Sequence, residues 1–208
     1  MSFDLYSWNT PNGQKATIAL EEAGADYTLF PVNIGEGAQH VPGFRQISPD
    51  GKIPALVVHA ETPVTLFESG AILVYLANQF PVLHGRSEEE RARVMSWLFW
   101  QVGQLGPLIG QFGRFSGASP LNTQAVKHFE ELITRCLDVM EKRLAETEYL
   151  AGENFTIADI ACYPWVASPQ SYMQRYGVGW RERYAAIPQW TDNIARRPAV
   201  QKAQDAYQ

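Results

Sequence analysis

Residues 48–57 read SPDGKIPALV and residues 66–73 read LFESGAIL, and these two runs decide how the N-terminal half folds. Ile53-Pro54 opens an apolar run, residues 60–63 form a polar turn, residues 64–67 return as a second strand, and Ser69 begins an apolar helix. The pattern predicts strand, hairpin, strand, helix. A proline at the head of a strand has no N–H to give, and the bond before it has only a small trans preference. A cis turn there would leave the backbone of Ile53 open to pair with an extended peptide. Glu68-Ser69-Gly70 then sets a carboxylate, a hydroxyl and backbone N–H groups at a helix start, where the dipole favours an anion and Glu68 can receive an ammonium. Taken singly, these are a turn proline and a helix cap. At this spacing they suit a small zwitterionic peptide.

Upstream, residues 3–8 alternate as a strand, with Phe3 and Leu5 on one face and Asp4 and Tyr6 on the other. The run Asn9-Thr10-Pro11-Asn12-Gly13 breaks it as a turn-rich loop, and a helix follows over residues 15–23, with Gly24 at its left-handed C-terminal cap. Residues 27–32 make a second strand. Strand, helix and strand in about 30 residues form a crossover, which requires the two strands to be parallel. Residues 33–47, with Gly35, Gly37, Gln39 and Pro42, hold at most a short helix and otherwise run over the surface, where ligand contacts concentrate.

Downstream, residues 79–86 close the α/β half and the chain becomes helical. Ser87 and Glu90 form a predicted capping box, Ser87 bonding forward and Glu90 back. Helical spacing runs through Val94, Trp97, Leu98, Gln101 and Leu105 to Gly106-Pro107. A long helix begins at Asn122 or Thr123, and Thr156-Ile157-Ala158-Asp159 is a second capping box opening a buried helix that contains Pro164. A final helix has Pro198 at its first position. The expected domains are residues 1–80, a linker over 81–86, and an all-helical domain over 87–208.

Composition removes several function classes. The 17 basic and 22 acidic residues give a net charge of −5 with no long basic block, which argues against a nucleic-acid partner. No apolar run approaches the roughly 18 residues needed to cross a bilayer, and the N-terminus has no basic region ahead of an apolar one, so the expectation is a cytoplasmic protein without a membrane partner. Cys136 and Cys162 are the only cysteines, both in apolar helical patterns, so neither a disulfide framework nor a metal site is expected.

Together, Ile53-Pro54, Glu68-Ser69 and Thr156-Ile157-Ala158-Asp159 in a mixed-sheet half and a helical half resemble the cytosolic glutathione transferases over essentially the whole chain. Thr10-Pro11-Asn12-Gly13, Ile47-Ser48-Pro49, Lys52-Ile53-Pro54-Ala55, residues 66–72 and residues 97–103 (WLFWQVG) are similar to the bacterial Nu class, which is related to the fungal nitrogen-regulator transferase-like proteins. The resemblance implies an α/β thioredoxin-like N-terminal domain with a mixed four-stranded sheet, an all-α C-terminal bundle, a two-fold homodimer, and glutathione, reduced or as the disulfide, as co-substrate. It implies that Glu68 and Ser69 hold the γ-glutamyl end, that the Ile53 backbone pairs with the cysteinyl unit between Lys52 and Pro54, and that Gln39 reaches the glycyl end. Thr10 and Asn12 would lie at the sulfur. A basic side chain from the long helix is also implied; Lys127 and His128 stand there, with His128 where the family pattern has arginine.

The chemistry of a bound thiol can be weighed separately. With a pKa near 8.5, glutathione at neutral pH needs something that favours its thiolate. Thr10 offers a hydroxyl, Asn12 an amide, and the helix start near Gly13 a positive dipole end. Tyr6 and Ser7 are rival activators of the types used by the tyrosine and serine classes. Strand alternation puts them on opposite faces, so both cannot point at the sulfur. With no cysteine before Cys136, a mixed disulfide from this loop is excluded. The preferred reading is glutathione-dependent disulfide reduction served by Thr10 and Asn12. The alternatives are a conjugating transferase or peroxidase, with a second site in the loops after Gly106 and over 172–179, and a non-catalytic glutathione-fold protein. Trp97, Phe99, Trp100, Phe112 and Phe115 could line such a site, but at helical spacing most of them read as core or dimer interface.

Overall fold

The computed structural model describes residues 1–167, 172–175 and 180–207. The chain forms two compact units, Met1–His84 together with the segment from Arg196 onward, and Gly85–Ala195.

The first unit is built on β1 (Ser2–Ser7), α1 (Pro11–Glu22), β2 (Tyr27–Pro31), α2 (Pro42–Ile47), β3 (Ala55–His59), β4 (Val64–Phe67) and α3 (Ser69–Gln79). The strands lie in the order β2-β1-β3-β4; β1 and β2 are parallel, and β3 is antiparallel to both β1 and β4. The crossover through α1 and the hairpin after it account for this mixed sheet. Register follows the alternation: Leu5 lies opposite Leu29 and Leu56, and Phe3 opposite Val58. That face is covered by Ile18, Leu20, Ile72, Leu73 and Leu76, all fully buried. Each such side chain contributes roughly 1.5–3 kcal/mol by leaving water. On the opposite face Val32, Phe44 of α2 and Ala55 form a smaller cluster, with Tyr6, Ala38, Ile47 and Ile53 packed against it.

Two sequence boundaries shift. The first helix starts at Pro11, four residues ahead of the expected 15–23 span, because Thr10 caps it: its Oγ1 accepts the Gly13 N–H at 3.1 Å. The last helix, expected with the helical half, packs in the first unit as described below, so the 87–208 span does not hold as one body. Pro198–Asp205 (α10 in chain order among the described residues) buries Val200 and Ala203, Arg197 grips Glu22 with bonds of 2.6 and 2.8 Å, and Lys202 reaches Glu21 at 2.7 Å. These contacts are with α1, and a helix goes where its apolar stripe and its ion pairs find partners.

The second unit holds α4 (Glu88–Trp100), a π-helical turn over Gln101–Leu105, α5 (Gly106–Ser116), α6 (Thr123–Leu144), α7 (Ile157–Val166), α8 (Trp180–Arg183) and α9 (Ala186–Ala195). Its core is α7, buried at every position except Trp165. The Thr156 capping box forms in full, and Asp159, wholly enclosed, also accepts from Leu150 N and Trp190 Nε1, each at 3.0 Å. Burial pushes the Asp159 carboxyl up to about 6, and the N–H donors of Leu150, Trp190 and Thr156 oppose that rise. The Ser87 box forms by half: Ser87 Oγ accepts from Glu90 N, while the Glu90 carboxylate passes over Ser87 to Arg86 N at 2.7 Å and Asn154 Nδ2 at 2.8 Å. Of the 172–179 loop expected to shape a second site, residues 176–179 lie outside the described residues; Tyr172 sets its ring against Gly113. Among the described residues no helix is long and apolar enough to cross a membrane.

Candidate functional site

The loop between β1 and α1 is held from both ends. Ser7 ends β1 fully buried, and its Oγ accepts from Tyr207 Oη at 2.8 Å; Tyr207 also meets the hydroxyl of Thr17, which itself donates to Gly13 O. Burial raises the pKa of the Tyr207 phenol, and its bonds to Ser7 and Thr17 pull the other way. Gly13 passes so close to the strand end that a Cβ there would stand 2.1 Å from Trp8 O and 2.6 Å from Ser7 Oγ. Only a glycine fits this approach. The loop between these anchors presents Thr10 and Asn12, both half-buried. As a cap, the Thr10 hydroxyl accepts, so its own proton can be directed at a ligand.

Glu68 is the only non-glycine residue with positive φ among the described residues, at φ 70° and ψ 115°. Such a backbone costs of order 1–3 kcal/mol and persists where surrounding structure imposes it. Its side chain is exposed and makes no capping bond to α3. Ser69, expected as a helix starter, occupies the first helical position, buried, and does not serve as the cap. Its hydroxyl donates to Asn12 Oδ1 at 3.4 Å and accepts from Lys15 Nζ at 3.4 Å. Residues 57 positions apart, Asn12 and Ser69, are thereby joined in one polar chain.

The Ile53-Pro54 bond is cis, as the sequence pattern anticipates. The ladder begins one residue after Pro54, where Ala55 pairs with Tyr6 and Phe67, so Ile53 stands ahead of it. This is a correction to a strand opening at Ile53-Pro54; the proline, without an N–H, cannot donate to the ladder. The approach to Ile53 is fixed by Ser48, whose buried hydroxyl donates to Lys52 O at 2.7 Å and accepts from Lys52 N at 3.2 Å. Lys52 itself is exposed and bonds Asp50 at 2.6 Å; that hydrogen bond first, then the Asp50 and Glu68 charges, raise its pKa. Gln39 lies on a 3₁₀ turn over Ala38–His40, with its backbone carbonyl beside Gly51. Its Oε1 is buried and has no hydrogen-bond partner among the described residues, an acceptor suited to an incoming amide N–H.

The rivals fall out differently. Ser7 is sealed beneath Gly13 and committed to Tyr207. Tyr6 lies on the other sheet face, stacked on Phe30 at 4.9 Å and tilted against Phe44. Lys127 and His128 stand exposed on α6 of the second unit, His128 edge-on to Phe129. Of the aromatic residues weighed for a second site and read mostly as core or interface, Phe112 is core and Phe99 is 65% exposed. Cys136 and Cys162 are buried in the second unit, and burial pushes the Cys136 thiol up to about 11. The sequence patterns assign no role to Lys15 or Tyr207, and Ser48 enters them only within the runs 47–49 and 48–57.

A thioredoxin-like sheet unit carrying these polar groups, with a separate helical unit, defines the transferase class of glutathione-binding folds. The chain belongs to the glutathione S-transferase family: the family's N-terminal domain matches residues 1–78 and its C-terminal domain residues 107–198. It is 44% identical over 205 residues to the disulfide-bond oxidoreductase YfcG of Escherichia coli K12, spanning 96% of this chain and 93% of that protein. Its fold matches a glutathione transferase family member of Pseudomonas fluorescens solved with two glutathione bound, at a TM-score of 0.90 and 34% identity over 97% of this chain and 92% of that one. A glutathione transferase of Pseudomonas putida solved with one glutathione disulfide per subunit matches equally, at a TM-score of 0.90 and 34% identity over 98% and 90% of the two chains.

Proposed function

We propose that this protein is a glutathione-dependent disulfide-bond reductase, in which bound glutathione supplies the thiol and the protein supplies no cysteine. The observation that carries the reading is the polar chain joining Asn12 to Ser69, set beside a β1–α1 loop whose rival hydroxyl, Ser7, is enclosed. Glu68 receives the glutathione ammonium, Ser69 and the start of α3 receive its carboxylate, the Ile53 backbone pairs with the cysteinyl unit, and Lys52 and Pro54 flank it. Gln39 Oε1 accepts the glycyl amide. The kinship with YfcG, and neighbours holding two glutathione or the glutathione disulfide, support a site in which two glutathione sulfurs meet.

At neutral pH only a few per cent of a free thiol with pKa near 8.5 is thiolate. Thr10 Oγ1–H, the Asn12 amide and the positive end of α1 lower the energy of that anion without a protein base. One thiolate attacks the substrate disulfide and expels a thiol; a second glutathione attacks the mixed disulfide, giving glutathione disulfide and the second thiol. Both the attacking and the leaving sulfur gain from the same donors. The reading includes a cytoplasmic homodimer, supported by the family resemblance and testable by light scattering.

The test is turnover of a small symmetrical disulfide by glutathione, with aryl-halide conjugation measured on the same protein. Replacing both Thr10 and Asn12 by alanine is expected to lower disulfide reduction by about a hundredfold, the scale of lost anion-stabilising donors, while Ser7→Ala stays within a few-fold of wild type. Strong conjugation without disulfide turnover, or a Ser7→Ala loss as deep as that of the double variant, would overturn the assignment.

A further inference from the structure

Lys15 is 1% exposed. It stands three residues after Asn12 on α1, hence on the same helix face, and its ammonium ends at Ser69 Oγ. Burying an ammonium is costly, and an apolar side chain of the same length would fill the gap between α1 and α3 without that cost. The contact also has a direction. Lys15 Nζ donates to Ser69 Oγ, and Ser69 Oγ donates onward to Asn12 Oδ1. Each bond polarises the next, so the positive charge at one end draws electron density from the Asn12 amide at the other and strengthens its N–H donors.

We infer that Lys15 is a positioning residue for the site: through Ser69 it fixes the Asn12 amide and supplies positive potential to both the γ-glutamyl carboxylate and the sulfur. The inference deepens the proposed function and rests on glutathione binding where that reading puts it. The lysine touches neither substrate nor reacting atoms; it acts on them across one hydroxyl. A thiolate and a carboxylate held at the two ends of one polar chain both gain from a cation at its root, so binding and thiol ionisation are coupled through a single side chain.

The experiment titrates the thiol of bound glutathione by the ultraviolet absorbance of its thiolate, in wild type, Lys15→Gln and Lys15→Met, with circular dichroism to confirm folding. Glutamine keeps a donor and drops the charge; methionine drops both. Loss of a nearby opposite charge is expected to raise the bound thiol's pKa by about one unit. Turnover of the disulfide should then fall about tenfold below that pKa and return to the wild-type rate above it, a pH signature that a packing defect does not produce. Ser69→Ala, which cuts the chain at its centre, should raise the pKa in the same direction, and adding Lys15→Gln to it should shift the pKa no further. Folded Lys15 variants whose bound thiol titrates as in wild type overturn the inference. So do Lys15 variants that fail to fold together with a Ser69→Ala protein of unchanged thiol pKa, which assigns the lysine to the core. Absence of glutathione binding in wild type is a different result and removes the functional reading itself.

Discussion

Gly13→Ala puts two opposed effects on one methyl group. Alanine in a helix is favoured over glycine by roughly 0.5–1 kcal/mol, so a substitution governed by propensity alone would stabilise the protein. At Gly13, however, the added carbon would stand 2.1 Å from Trp8 O and 2.6 Å from Ser7 Oγ. The nearer atom belongs to the backbone and has no rotamer in which to retreat. Relief requires the first turn of α1 to move away from the end of β1, against the Thr10 cap at 3.1 Å and the Tyr207 bond to Ser7 at 2.8 Å. Overpacking of this kind costs about 1–3 kcal/mol and loss of the cap about 1 kcal/mol more, which outweighs propensity and leaves the variant roughly 2–3 kcal/mol less stable. Urea unfolding measures the stability, and disulfide turnover below the unfolding range should drop at least tenfold as Thr10 and Asn12 are displaced. Gly103→Ala, whose Cβ would meet nothing within 4 Å, is the control in which propensity acts alone. A Gly13→Ala protein as stable as that control, with full turnover, would refute the close approach.

Two further outcomes follow from strained and buried groups. Glu68→Gly removes a side chain from a backbone at φ 70°, and is expected to raise stability by about 1 kcal/mol in thermal or urea unfolding while weakening glutathione binding at least tenfold; a parallel fall in both would show that the strain is not relieved there. Asp159 has a folded pKa raised from 3.8 to about 6, so the folded state holds its proton more tightly, and the stability this contributes is complete below the unfolded value and lost as pH rises through about 6. An asparagine side chain is uncharged at every pH; whatever fixed cost it carries at the Thr156 N–H, the stability of Asp159→Asn relative to wild type should rise by about 3 kcal/mol as pH crosses that window, and a pH-independent difference between the two would contradict it.

How much of this was legible in sequence depends on the range of the interaction. The parallel pair, the hairpin and the Thr156 box follow from patterns a few residues long, and the structure has them at those positions. The pairing of Glu68 and Ser69 at the head of α3 was equally local. What escaped was non-local. Lys15 meets Ser69 across 54 positions and Tyr207 meets Ser7 across 200, and neither periodicity nor capping rules reach that far. The same distance explains the last helix: its apolar stripe is plain, but a stripe does not name the surface that covers it. Sequence alone does not decide Ser7 as a thiol activator for the same reason, since its enclosure depends on Tyr207 and on the absent side chain of Gly13. The Glu90 carboxylate went to Arg86 instead of Ser87, a one-residue shift that reflects the competing donor Asn154.

The buried polar side chains of the first unit bear on why a site without a cysteine can work. Ser7, Gln14, Lys15, Thr17, Ser48 and Ser69 are each at most 6% exposed, and all lie in β1, the first two turns of α1, the approach to Ile53, or the start of α3. A burial of this kind costs free energy unless the group is hydrogen-bonded, and an ordinary core would use apolar residues instead. Elsewhere in the unit it does, with Phe3, Leu5, Ile18, Leu20, Leu56 and Leu76. A protein that activates a bound thiol through a nucleophile of its own can tolerate some slack, because the covalent bond fixes the geometry. One that relies on donors such as Thr10 and Asn12 has no such bond, and its effect on an anion falls off steeply as hydrogen bonds lengthen or tilt. Donors have to be held in place before the ligand arrives. On the proposed reading, the chain from Lys15 through Ser69 to Asn12 holds a donor in this way, and much of the polar interior of the first unit serves that task.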